Sequence, residues 1–171
     1  HVEWVLGDLT DTHALARLCD GASAVLHIAG VVNAADEAGF TAGNVTGTAN
    51  VLAAAASVPR FVHVSSLAAR EPGLSLYGAS KAEGDRLVQG RAGDWVIVRP
   101  PGVYGPGDAE MRDLFSLARL GLGLAPGGPG ARISLIHVDD LARALLALAD
   151  AGPSREILEL EPEANAALGR G

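Results

Sequence analysis

Three short runs, Val25-Leu26-His27-Ile28, Phe61-Val62-His63-Val64 and Trp95-Val96-Ile97-Val98, are apolar on both faces instead of alternating with polar residues. Strands of that kind need cover on both sides, which is the condition inside a parallel sheet flanked by helices. The intervals between the runs are long enough for the crossover helices that parallel strands require. Strands are expected at residues 2–6, 24–29, 61–65, 95–99, 133–136 and 156–160. Helices are expected at residues 11–19, 40–57, 75–89, 109–120 and 139–150, with the Gly/Pro-rich stretch 121–130 as a loop. Thr10 or Asp11 is placed to open the first helix and Gly21 to stop it. Pro59 ends the second helix, Pro100-Pro101 halts a strand, and Asp139 sits near the N-cap of the last helix. The alternation reads as a doubly wound, mainly parallel α/β sheet in one domain over residues 1–171.

Charge and composition exclude several functions. A net charge of −7 argues against a nucleic-acid surface, which would be basic. Cys19 is the sole cysteine, so there is no intrachain disulfide and no cysteine-based zinc site. The histidines and carboxylates show no clustered ligand spacing, and no metal is expected. Apolar stretches are broken by Gly, Pro or charge well before membrane-spanning length, so no membrane partner is expected either. Residues 2–6 read as a strand and not as a leader, and a cytoplasmic location is the expectation.

In an open parallel sheet, ligands bind beyond the carboxyl ends of the strands. Four segments should line that edge: Gly7-Asp8-Leu9, Ala29-Gly30-Val31, Ser65-Ser66 and Pro100-Pro101-Gly102-Val103-Tyr104. Close by, Tyr77-Gly78-Ala79-Ser80-Lys81 places a tyrosine and a lysine four residues apart, on one helix face. A phenol with a pKa near ~10 is a poor acid or base at neutral pH. A neighbouring ammonium stabilises the phenolate and makes the tyrosine a usable proton donor or acceptor. Ser66 could hydrogen-bond the oxygen that Tyr77 serves. Taken singly, each has a plain structural use: Tyr77 and Lys81 on a solvated helix face, Ser66 satisfying loop backbone. His27 and His63, inside apolar strands, read as core histidines and not as ligands; His137 and Asp139 read as ordering a helix start.

In this order the residues resemble the extended short-chain dehydrogenase/reductase family, also called the NAD-dependent epimerase/dehydratase family. The matching stretches are Gly7-Asp8-Leu9-Thr10-Asp11, His27-Ile28-Ala29-Gly30, Asn44-Val45-Thr46-Gly47-Thr48-Ala49-Asn50, Phe61-Val62-His63-Val64-Ser65-Ser66, Tyr77-Gly78-Ala79-Ser80-Lys81, Arg99 through Asp108, and His137-Val138-Asp139-Asp140-Leu141-Ala142. The resemblance implies a Rossmann-type fold that binds NAD or NADP, with residues 100–171 forming a small C-terminal substrate-side part. It implies that Ser66, Tyr77 and Lys81 are catalytic and that Lys81 also holds the nicotinamide ribose. It places Asp8 and Leu9 beside the adenine, and Ala29, Gly30 and Val31 at the turn near the cofactor, where a side chain on Gly30 would intrude. Asn44, Val64 and Ser65 are implied on the cofactor side of the sheet. Pro100, Gly102 and Val103 are implied beside the nicotinamide and substrate, with Tyr104 toward the substrate.

The family opens with a strand, a glycine-rich turn and a helix that cradle the pyrophosphate. Such a unit takes roughly 30 residues, and none precedes His1. Loss of the central strand would leave an exposed edge and half a core, so a longer polypeptide is the expectation. The implied activity is an NAD(P)-dependent oxidoreductase or epimerase acting on a hydroxyl or carbonyl carbon of a small molecule. The short loop between Ser66 and Tyr77 weighs slightly against a nucleotide sugar. The alternative is a non-catalytic NAD(P)-binding sensor or structural subunit. A homodimer through residues 40–57 and 75–89 is implied as well.

Overall fold

The computed structural model describes residues 2–108, 119 and 134–160. In chain order its elements are α1 (Thr12–Cys19), β1 (Ala24–His27), α2 (Glu37–Phe40), a π-helical stretch (Thr41–Thr46), α3 (Gly47–Ala54), β2 (Arg60–Val64), two short 3₁₀ turns (Leu67–Arg70 and Pro72–Leu74), α4 (Leu76–Gln89), β3 (Asp94–Arg99), β4 (Gly102–Tyr104), β5 (Leu135–His137), α5 (Val138–Asp150) and β6 (Glu156–Glu159). Strands β1, β2, β3 and β6 lie side by side in that order, and every pairing is parallel.

The pleat sends alternate residues to opposite faces. Phe61, Trp95 and Ile97 meet Leu15 of α1, Val51 of α3 and Val88 of α4 on one face. Val62, Val64, Val96 and Val98 meet Leu141 and Leu145 of α5 on the other. Helices thus cover both faces, as the doubly apolar strands require. Asp11 caps α1 by accepting a hydrogen bond from Ala14 N–H, and Gly21 follows the helix at φ +66°.

Three expectations change. Residues 2–6 form no strand: Val2, Trp4 and Leu6 are exposed, and among the described residues no neighbour offers them a ladder. The helix expected at 40–57 begins earlier, at Glu37, where Asp36 caps it, and is widened at its centre into a π-helical stretch. Pro100-Pro101 ends β3 but only redirects the chain, because Gly102–Tyr104 pairs in parallel with Leu135–His137 as a second small sheet. The last helix starts at Val138, one residue before the expected 139, capped by His137, whose ring accepts from Asp139 N–H; Asp139 thus lies near the N-cap, as expected. The expected helix 109–120 and loop 121–130 lie outside the described residues.

Candidate active site

The site is assembled where β1, β2 and β3 end. Beyond β2, Ser65 N–H donates to Val98 O at 2.7 Å and Leu67 N–H to Pro100 O at 3.1 Å. These bonds carry the β2–β3 pairing past the last ladder residue and fix Ser65-Ser66 against Pro100-Pro101. Ser66 then caps the first 3₁₀ turn, its Oγ accepting from Ala68 N–H at 3.1 Å. That bond uses a lone pair and leaves the hydroxyl hydrogen to donate.

Helix α4 is laid directly on this turn. Ser75 caps it, accepting from Gly78 N–H at 2.9 Å. A Cβ on Gly78 would stand 2.6 Å from Ala68 O, so only glycine at this position lets the helix approach the Ser66 turn. Tyr77, half-buried in the first turn, packs its ring on Phe40 with centroids 6.1 Å apart. One turn on, Lys81 is only 5 % exposed and its Nζ donates to Val64 O at 2.8 Å. Burial lowers its pKa to about 8, against an upward pull from Asp85.

From the opposite wall, Asn44 grips the turn after β1. Its Oδ1 accepts from Val31 N–H at 2.7 Å, while Nδ2 donates to Val31 O at 2.8 Å and to Ser80 Oγ at 2.9 Å. Ser80 Oγ in turn donates to Tyr77 O at 2.8 Å. Asn44 is 2 % exposed, and both its N–H bonds are spent on the chain. A Cβ on Gly30 would lie 2.8 Å from Asn44 Oδ1 and 3.7 Å from Lys81 Nζ.

The resulting open cleft of about 840 Å³ gathers most of the residues the sequence pointed to. Ser66, Tyr77 and Lys81 line it together with Gly30, Val31, Asn44, Val64, Ser65, Pro100, Gly102 and Val103. Four do not line it. Asp8 is exposed and folds its Oδ1 back onto Thr10 N–H and Oγ and Asp11 N–H, and its carboxyl is lowered chiefly by the Thr10 hydroxyl. Leu9 and Ala29 line a separate apolar groove along the outer flank of β1. Tyr104 lies outside the cleft lining, its ring edge-on to His137 at 5.2 Å.

Behind the cleft is a buried polar cluster that the sequence reading did not single out. Asp85, 2 % exposed, accepts through Oδ2 from Arg99 Nε at 3.0 Å and Nη2 at 2.9 Å. Arg99 also faces Glu159 at 3.5 Å. Burial raises the Asp85 carboxyl above its ordinary value, while Ser65, Arg99 and the Lys81 charge oppose that rise. The signal was present: Asp85 follows Lys81 by four residues, as Lys81 follows Tyr77, so a charge sits on the face of α4 that carries those two residues. His27 and His63 stack at 5.2 Å and are core residues. Burial, helped by Lys81, holds His27 down at about 4 and His63 well below its ordinary value, so both are neutral. Thr48 Oγ1 donates to Asn44 O, so the His27 Nε2···Thr48 contact at 3.0 Å requires a proton on His27 Nε2. Among the described residues no group of His, Cys, Asp or Glu could hold a metal ion, and no helix is long and apolar enough to cross a membrane.

A doubly covered parallel sheet, with Ser66 just beyond a strand end and Tyr77 and Lys81 brought beside it by α4, defines a dinucleotide-type α/β fold. Residues 1–160 match the NAD dependent epimerase/dehydratase family, and the chain belongs to it. It is 46% identical over 147 residues to a ceramide reductase of Caulobacter vibrioides, covering 85% of this chain and 46% of that protein. It is 30% identical over 172 residues to a 3 beta-hydroxysteroid dehydrogenase/Delta 5-->4-isomerase of Mycobacterium tuberculosis, covering 82% of this chain and 46% of that protein. A dTDP-glucose 4,6-dehydratase from Streptomyces venezuelae, solved with NAD bound, superposes with a TM-score of 0.73 at 29% identity, covering 90% of this chain and 56% of that one. The chain thus spans about half the length of the relatives it matches.

Proposed function

We propose that this chain carries the catalytic side of an NAD- or NADP-dependent oxidoreductase acting on a ketone or secondary alcohol borne by a large apolar molecule. One observation carries the reading: Ser66, from the turn after β2, and Tyr77 and Lys81, from successive turns of α4, line one cleft. The nicotinamide end of the cofactor fits here, since Gly30 keeps clear the space that a Cβ would fill between Asn44 and Lys81. Bound there, the nicotinamide supplies or accepts hydride at the substrate carbon. Lys81 has one N–H on Val64 O and two left to hold ribose hydroxyls and to face Tyr77. Asn44 acts indirectly, by fixing the Val31 turn. For reduction, Ser66 donates to the carbonyl oxygen and Tyr77 gives that oxygen its hydroxyl proton. The C=O π bond opens as the carbon gains hydride, and the product is an alcohol.

The lining supports the apolar substrate. Ile28, Val32, Leu67, Ala68, Val138 and Leu141 line the cleft, and Lys81 is the only cation among its described lining residues. Among the described lining residues no second positive charge stands ready for a diphosphate. Relatives named for a ceramide and a steroid point the same way. The test is NADH and NADPH consumption by the full-length protein with a ketone-bearing ceramide, a steroid ketone and a keto nucleotide sugar. Turnover of the apolar ketones above the nucleotide sugar is expected. Preference for the nucleotide sugar would overturn the substrate class, and cofactor binding without any turnover would favour a sensor or structural subunit.

A further inference from the structure

We propose that Asp85 is a positioning residue for Lys81: clamped by Arg99 one helical turn behind the cleft, it keeps the Lys81 ammonium charged, while Val64 O fixes where it stands. The proposal deepens the reading above and rests on the part Lys81 plays in it. It begins from the composition of the charged groups. Lys81 is the only lysine in the sequence, and the remaining basic residues are all arginine. It is buried, and burial favours the neutral amine. A neutral amine would neither stabilise a phenolate nor grip ribose hydroxyls as strongly.

The groups facing this point come from every packed element. From α4 itself there is Asp85, four residues on and on the same face. From β3 comes Arg99, whose Nε and Nη2 both bond Asp85 Oδ2, with Glu159 of β6 behind it. β2 presents His63, with Nε2 3.7 Å from Asp85 Oδ1, and β1 presents His27, stacked on His63. Thr48 and Asn44 approach from the helix between β1 and β2, bringing no charge. Both histidines are neutral, since burial and Lys81 lower them. Asp85 is therefore the charge that opposes burial at Lys81 among the described residues, as the upward pull on Lys81 reflects. The Arg99 clamp gives it a fixed orientation and, with two charge-assisted hydrogen bonds to Oδ2, favours its carboxylate form against the upward push of burial.

The test reads Lys81 directly. Lysine is labelled with ¹³C at Cε, and the Lys81 resonance is identified in the full-length protein as the one that Lys81→Arg removes. The full-length protein is titrated by NMR as wild type, as Asp85→Asn and as the double variant Asp85→Asn/Arg99→Gln, which leaves no unpaired Arg99 guanidinium behind. The proton affinity of Lys81 is expected to fall at least about tenfold in both variants, the usual effect of losing a near opposite charge. In an active preparation the alkaline limb of the pH–rate profile moves to lower pH by the same amount. Asp85→Glu restores both. A Lys81 titration in the folded double variant equal to wild type would overturn the proposal and reduce Asp85 to a structural partner of Arg99. Because the titration needs no substrate, a failed turnover assay and a failed role for Asp85 are told apart.

Discussion

At the scale of single residues, Asn44 shows how a side chain can belong to a site without facing a ligand. The resemblance implies that it reaches the cofactor side, and it does line the cleft, yet its amide is committed to Val31 and Ser80. Asn44→Leu, similar in size, removes three buried hydrogen bonds. The expected cost in urea unfolding is about 2–4 kcal/mol, with weaker cofactor binding as the Val31 turn loosens. A stability loss below about 0.5 kcal/mol would contradict the clamp. Ser66, Tyr77 and Lys81 were legible in the sequence because the helical period and the strand end fix where they stand. Asp8, Leu9 and Ala29 were expected at the strand-end edge and, by resemblance, near the cofactor; Asp8 folds into its own turn, and Leu9 and Ala29 line a groove on the outer flank of β1 apart from the cleft. Asp85 and Arg99 escaped because an exposed and a buried charge look alike in a sequence. Only the tertiary packing of α4 on β3 pairs them.

At the scale of elements, the central strands were legible from their doubly apolar runs, and the first helix from its Asp11 cap and Gly21 stop. What escaped depends on neighbours. Residues 2–6 have strand composition but no ladder partner among the described residues, whereas Gly102–Tyr104, glycine-led and next to two prolines, becomes a strand because Leu135–His137 lies beside it. The buried histidine pair on β1 and β2 has a consequence for acid stability. His27 is held at about 4 in the fold against an ordinary value of 6.5, so the unfolded chain binds more protons between those values. Its contribution is present above 6.5 and is lost as pH falls toward 4, in total about 3 kcal/mol. His63 adds in the same direction. Urea unfolding at pH 7 and at about pH 4.5 should show a smaller loss for His27→Gln than for wild type. Equal losses would mean that His27 is not held neutral.

At the scale of the whole molecule, sheet order β1-β2-β3-β6 with helices on both faces puts every strand's carboxyl end on one edge, and the cleft follows from that topology. Family membership, the apolar lining and a single ammonium beside a tyrosine and a serine then combine into one account of hydride chemistry on a large apolar carbonyl. The proton step at Tyr77 is its centre. Turnover of the ketone-bearing ceramide should be compared in the full-length wild type and Tyr77→Phe, with cofactor affinity measured alongside. Since general acid–base groups contribute roughly 10²–10⁴-fold, Tyr77→Phe is expected to lose at least about a hundredfold in rate with cofactor binding nearly unchanged. Turnover by Tyr77→Phe at the wild-type rate would contradict the account.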